Sequence, residues 1–200
     1  MLKFEIMTKL ILATTSPHRK TIFDTLGLEY VAQGSDVDEY FEGRPENPAD
    51  LVKELSRLKA ESVAKRFSEG IVLAFDSVGF FDGEILEKPK SKEDAFQRLK
   101  SLSGETHYFF TGIHMINLEA RTTLSDAIIT EIEMRNISES EITKYLGQNN
   151  RYLTMALGYD PLESFSSSFV CKVEGDYNNI TRGIPVARVM KMLKEIGYKI

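Results

Sequence analysis

Two kinds of charged side chain stand at positions suited to chemistry: the cations Arg19, Lys59 and Lys88, and the carboxylates Glu39 and Asp76. Cations bind phosphate oxygens, and carboxylates hold a divalent metal or activate water. The combination suits phosphoryl chemistry on a triphosphate, which is mostly positioning and charge neutralisation. Each residue also has a plainer reading. SPHRK, residues 16–20, places Ser16 as a helix cap and Pro17 as a first helical residue. His18, Arg19 and Lys20 then crowd a helix start that is already positive. That makes sense if backbone N–H groups and side chains share a bound anion, and otherwise the cations are solvated surface.

Lys59 lies near the centre of an apolar arc formed by Leu51, Val52, Leu55, Leu58 and Val63 on a helix expected over 48–67. Its stem snorkels to water or its ammonium meets an anion in a cleft. Asp76 follows the apolar run IVLAF, at the expected carboxyl end of a buried strand where α/β sheets hold ligands, or it caps a turn. Asp36, Asp38 and Glu39 form an acidic cluster, either solvated or offering the oxygen ligands that Mg²⁺ or Mn²⁺ prefers.

The elements that position these residues alternate along the chain, which argues for an α/β fold. Strands are expected at 10–14, 30–33, 71–75, 106–117, 123–135 and 169–173, with a hairpin at Asp82-Gly83 between VGFF and EIL. Helices are expected after Ser16, over 48–67, over 91–102 with Ser91 as cap, after the Ser138–Glu141 capping box, and from Pro185 to Ile196. Residues 148–165 read as irregular. The 200 residues form one unit without repeat or linker.

A net charge of −5 argues against a nucleic-acid partner. No apolar run approaches the roughly 20 residues of a membrane span, and MLKFEIMTKLIL does not read as a signal peptide, so a cytoplasmic location is expected. Cys171, the one cysteine, is expected to be a buried inert thiol in SFVCKV. No Walker loop, GxGxxG, HExxH or GxSxG is present.

The motifs LILATTSPHR, SDVDE, LSRLKAES, AFDS, GEILEKP, LSGETH, FTG, MRNISESEI and GIPV follow one another in this order. Together they resemble the Maf family of nucleoside triphosphate pyrophosphatases, also described as septum-formation inhibitors, over residues 9–196. The resemblance implies a single Maf/ITPase-like α/β domain, with a mixed twisted sheet and helices forming two lobes around a central cleft. It also implies a homodimer and a nucleoside triphosphate substrate cleaved between the α and β phosphorus with Mg²⁺ or Mn²⁺. Ser16, Arg19, Lys59 and Lys88 would handle the phosphates, with both lysines in the catalytic set, and Glu39 and Asp76 would serve the metal and the attacking water. A nucleotide-binding regulator of cell division is the alternative class.

Three positions bear on substrate choice. His18 stands where the family motif has its first Arg of SPRR, Ser77 where it has Thr or Gln, and GYDPLES replaces the late loop GAYGIQG or GSFKSEG. Glu163 and the length of EGDYNNITRG resemble the branch acting on 7-methylguanosine triphosphate more than the dTTP/UTP branch. The expectation is therefore a modified purine triphosphate, with dTTP or UTP as the alternative.

Overall fold

A computed structural model describes residues 8–199 except residue 163. Its centre is a strand, β3 (Ile71–Phe81), buried along most of its length. On one edge it pairs antiparallel with β5 (Thr106–Asn117), which pairs with β6 (Thr122–Met134), which pairs with β7 (Val170–Glu174). The other edge is shared. β1 (Leu10–Leu12) runs parallel to Ile71–Leu73 and carries β2 (Tyr30–Ala32) beyond it. β4 (Glu84–Leu86) returns antiparallel to Gly79–Phe81 through an Asp82-Gly83 turn with both φ angles positive, as a tight hairpin requires. Between these partners residues 74–78 of β3 have no strand beside them on that edge. This gap in a mixed sheet is where the cleft forms.

Alternation assigns the two faces. Leu10, Leu12, Ile71, Leu73, Phe75, Ile113 and Met115 pack with Phe23 of α1 (Pro17–Thr25) and with Val189, Met192 and Leu193 of α6 (Val186–Glu195). At the far end of the same face, Phe109, Ile132 and Met134 pack with α3 (Lys92–Leu102) and α4 (Glu139–Leu146). These are the two lobes. Ser77 and Thr111 lie between them as cross-strand partners. The opposite face is covered by α2 (Pro48–Ala64), whose Leu51, Val52, Leu55, Ala60 and Val63 are fully buried.

The caps at Ser91 and Ser138 form as expected, the latter as a complete capping box. Two 3-10 turns, Arg151–Thr154 and Phe165–Ser168, and a short helix α5 (Tyr177–Arg182) form where no helix is expected, the first of them inside the stretch 148–165 read as irregular. Two expectations are corrected. Asp76 sits in the middle of a continuous strand and does not end one; what ends there is the β1 partner. Cys171 is exposed, because β7 is, among the described residues, an edge strand paired with β6 and only partly covered. No described helix is long and apolar enough to cross a membrane.

Gly112 makes the approach of α2 possible. It is the cross-strand neighbour of Asp76, and a Cβ built on it would fall on the Val52 carbonyl of α2. Gly112→Ala must therefore push α2 off the sheet. It should cost about 1–3 kcal/mol or more and should lower turnover, since Lys59 rides on α2. Denaturant midpoints and activity together test this, and unchanged values for both would refute it. A second group ties stability to pH. His107 is fully buried against the Tyr159 hydroxyl, with Nε2 and Oη 2.8 Å apart. Burial pushes its pKa down to about 4. The unfolded chain takes up this proton near pH 6.5 and the folded chain does not, so stability falls as pH falls from about 6.5 toward 4. Between pH 7 and 5 the loss attributable to His107 should be about 2 kcal/mol. It is read as the difference in pH slope of urea unfolding between the native protein and His107→Gln; equal slopes would exclude it.

Candidate active site

The cleft is built around a buried carboxylate. Asp76 is 7 % exposed and points to the α2 face. Lys59 reaches it from α2, with Nζ 2.5 Å from Asp76 Oδ1 and 2.7 Å from Glu39 Oε1. The position of Lys59 on the apolar arc is thus explained. Its side chain is 14 % exposed, and its ammonium is shared by two carboxylates. Burial raises the Asp76 pKa, and the opposing pull of Lys59 and then Arg19 does not cancel it. Glu39 is the reverse case. Burial works to raise its pKa, but the hydrogen bond and charge of Lys59, with Lys88 and Arg19, bring it below the usual value.

Arg19 enters the gap in the sheet. One of its guanidinium nitrogens donates to the Phe75 carbonyl at 2.7 Å, a group that has no strand partner there, and the other donates to Ser77 Oγ at 3.0 Å. Ser77 Oγ is in turn 2.8 Å from Thr111 Oγ1. Burial lowers the Arg19 pKa, against the pull of Asp76 and Glu39. Ser16 occupies the cap position of α1, yet its side chain makes no capping hydrogen bond. Ser16 and the first-turn residues Pro17, His18 and Arg19 border the cleft. Lys88 is carried by the segment after β4. Arg98 of α3 holds that segment by donating to the Glu87 and Ala156 carbonyls.

Ser16, His18, Arg19, Glu39, Lys59, Asp76, Ser77 and Lys88 all line one cavity of about 320 Å³. Every described residue to which the resemblance assigns a role is therefore brought to one place. Glu163 lies outside the described residues. Asp36 and Asp38, the neighbours of Glu39, turn elsewhere: Asp36 accepts from Arg66, and Asp38 accepts from the Tyr40 N–H. Sequence reasoning missed Tyr40, Asp160 and Arg182, which border this cavity, and Arg151, which borders the adjoining one. Asp160 left a faint trace in the sequence, as part of the loop that departs from the family pattern. Single arginines in polar stretches gave none.

The adjoining cavity, about 640 Å³, shares Ser16, His18, Arg19, Glu39, Lys59 and Lys88 and adds Arg151. It is strongly cationic, whereas the first holds Asp76 and an apolar lining that includes Leu55, Val78, Phe109 and Leu157. One continuous cleft thus offers a basic end for a polyanion and a less polar end for a flat organic group, with two carboxylates between.

Comparison with known proteins agrees with this layout. The family model described as "Maf: Maf-like protein" matches residues 9–196. A protein of Clostridium perfringens named dTTP/UTP pyrophosphatase is 38 % identical over 196 residues, covering 96 % of this chain and 99 % of that one. Proteins with the same name from Alkaliphilus metalliredigens and Thermotoga maritima are each 36 % identical, covering 94 % and 95 % of this chain and 95 % and 90 % of their own. Among solved structures, the Ham1 protein of Staphylococcus aureus matches with a TM-score of 0.56 at 15 % identity, covering 94 % of this chain and 98 % of that one, a likeness of fold. On its motifs, its cleft and these relatives, the chain belongs to the Maf family.

Proposed function

We propose that this protein hydrolyses pyrimidine nucleoside triphosphates, dTTP and UTP, between the α and β phosphorus, releasing the monophosphate and pyrophosphate. The observation that carries the hydrolytic reading is the pair Asp76 and Glu39 converging on Lys59 at the junction of the basic and apolar cavities. A protein that only bound nucleotides would need the cations but not a buried carboxylate beside them. The pyrimidine preference rests on relatives named for dTTP and UTP at 36–38 % identity across nearly the whole chain. They favour it over the 7-methylguanosine triphosphate expected from the late loop.

Water attacks the α phosphorus, the bond to the bridging oxygen breaks, and pyrophosphate leaves. Asp76 is suited to orient that water and accept its proton, since burial has already raised its affinity for protons. Lys59 exchanges a carboxylate partner for phosphate oxygens, and Arg19 and Lys88 add charge against the developing negative charge. The donor chemistry also fits a divalent metal. Glu39 and Asp76 present oxygens to one shared point, and Mg²⁺ is commonly held by one or two carboxylates together with substrate phosphates. No group of three or more His, Cys, Asp or Glu able to hold a metal is found among the described residues, so the substrate would supply the remaining ligands. Bound there, such an ion would neutralise phosphate charge and lower the pKa of a coordinated water.

With Mg²⁺ or Mn²⁺, dTTP and UTP should be turned over to monophosphate and pyrophosphate, with kcat/KM about tenfold or more above that for 7-methyl-GTP, the range that pocket contacts supply. Release of orthophosphate, or the reverse preference, would refute the assignment. The ion pair gives a separate prediction. Asp76→Asn removes a buried charge and should lower kcat by about 10²–10⁴-fold while leaving the thermal midpoint equal or higher. Lys59→Met leaves Asp76 without its closest cation and should be the destabilising member, by up to about 3–5 kcal/mol as for other broken buried pairs. Combining the two substitutions should restore much of that stability without restoring activity. Simple additivity in the double-mutant cycle would show that the pair is not coupled.

A further inference from the structure

Glu87, the residue before Lys88, is joined to the loop that carries Glu39. Its Oε2 accepts from the Tyr40 hydroxyl at 2.6 Å, and its Oε1 accepts from an Arg44 guanidinium nitrogen. Tyr40 follows Glu39 directly, and both Tyr40 and Arg44 belong to the connection between β2 and α2. The Arg44 guanidinium lies over the Tyr40 ring, 5.2 Å from its centroid, so the two side chains meet Glu87 as one unit. The hydrogen bond to Glu87 raises the Tyr40 pKa, so the phenol keeps its proton and stays the donor. At its other end the link is held by Arg98 of α3, which donates to the Glu87 carbonyl.

We propose that Glu87 is a positioning residue for the hydrolysis, which through Tyr40 and Arg44 holds the Glu39 loop against the Lys88 segment. This rests on the hydrolytic reading above and adds how its two loop-borne groups are kept in register. Arg19 and Lys59 are placed by helices and Asp76 by a strand, whereas Glu39 and Lys88 lie outside every helix and strand. Both nevertheless line both cavities, where they must meet the same triphosphate. A carboxylate and a cation on separate loops need a tie between the loops, because a small misplacement of either is costly to turnover. The tie adds little to stability. The Arg44 and Glu87 side chains are 23 % and 33 % exposed and Tyr40 is exposed, and ion pairs so open to water are weak. Charge gives a second reason. Glu87 lines the first cavity beside Lys88, where an uncompensated carboxylate would repel a triphosphate and compete for the lysine. Arg44, which lines neither cavity, neutralises it from behind.

Hydrolysis of dTTP and UTP with Mg²⁺ gives one readout. Hydrogen exchange of residues 36–46, followed by mass spectrometry, gives a second that needs no turnover. Glu87→Ala should lower kcat and kcat/KM together by about tenfold or more, toward the roughly 10²-fold that a 1 Å misplacement costs. It should speed exchange across the loop and move the thermal midpoint by less than about 4 °C. Glu87→Gln, which still offers an acceptor, should recover part of the loss. Tyr40→Phe keeps the ring under Arg44 and should show a smaller loss in the same direction. Combined with Glu87→Ala it should cost nothing further, because the same bond is already broken. If Glu87→Ala fails to fold, Glu87→Gln and Tyr40→Phe decide. The loss should be equal for dTTP and UTP. A tenfold difference between them would mean that Glu87 touches the nucleoside, and would overturn the positioning role. Wild-type kcat in Glu87→Ala, whatever its loop exchange, would overturn it too and leave the hydrolytic reading standing. Faster loop exchange in Glu87→Ala of a protein that releases no pyrophosphate from either nucleotide would support the tie and remove the hydrolytic reading instead.

Discussion

A carboxylate in the middle of the central strand has to find positive charge, because an isolated ion buried in a sheet is not tolerated. That requirement on Asp76 organises much of this molecule. It explains why α2 carries Lys59 in the middle of its apolar arc. It explains why α2 must lie close over the sheet, and hence why the cross-strand neighbour of Asp76 is Gly112, the one residue with no side chain to hold the helix away. It also gives Arg19 a reason to turn inward from α1, where its charge offsets part of the burial of Asp76 while its N–H groups satisfy the edge of the strand.

The same arrangement answers why positive charge is placed at the start of α1. Arg19 is anchored to the Phe75 carbonyl through the gap between β1 and β4, so the sheet, rather than solvent, holds it. An unpartnered stretch of strand would otherwise leave buried carbonyl and N–H groups unsatisfied. Filling the gap with a guanidinium instead of another strand closes the hydrogen-bonding deficit and leaves an opening through which a ligand can approach Asp76. The opening in the sheet and the charge that lines it are therefore one feature.

Local signals in the sequence reported local structure faithfully. The Ser91 and Ser138 caps, the Asp82-Gly83 hairpin and the apolar arc of α2 depend on neighbours a few residues away, and each formed as read. What failed depended on distant partners. Asp76 reads as a strand end because apolarity stops there, but the strand continues because β5 pairs with it residue for residue as far as Phe80. Cys171 reads as buried because its run is apolar, but β7 is the last strand of the sheet among the described residues and Cys171 is exposed on it. Of the three acidic residues Asp36, Asp38 and Glu39, spacing alone offers no reason to prefer one, and it is the family resemblance that singles out Glu39. Only the fold turns Glu39 to Lys59 and commits Asp36 to Arg66. Arg151 and Arg182 are separated by 31 positions, and the fold brings each to within 4.0 Å of the Asp160 carboxylate.

Ser77 illustrates how a departure from a family pattern can be absorbed. It stands where the family motif has Thr or Gln, which suggested a part in substrate choice, and it does border the cleft. Yet its side chain lies on the other face of β3 from that of Asp76, where its hydroxyl joins Arg19 to Thr111. A hydroxyl at this point can accept from the guanidinium and still donate across to the neighbouring strand, so a short side chain suffices as long as Thr111 stands opposite. Strand alternation thus divides two adjacent residues between two tasks. Asp76 faces Lys59 and the reacting end of the cleft, and Ser77 faces the lobe interface and holds the arginine in place. A substitution at 77 would then act on substrate choice only through Arg19, and the direct contacts that distinguish one base from another must come from elsewhere along the cleft, where its lining turns apolar.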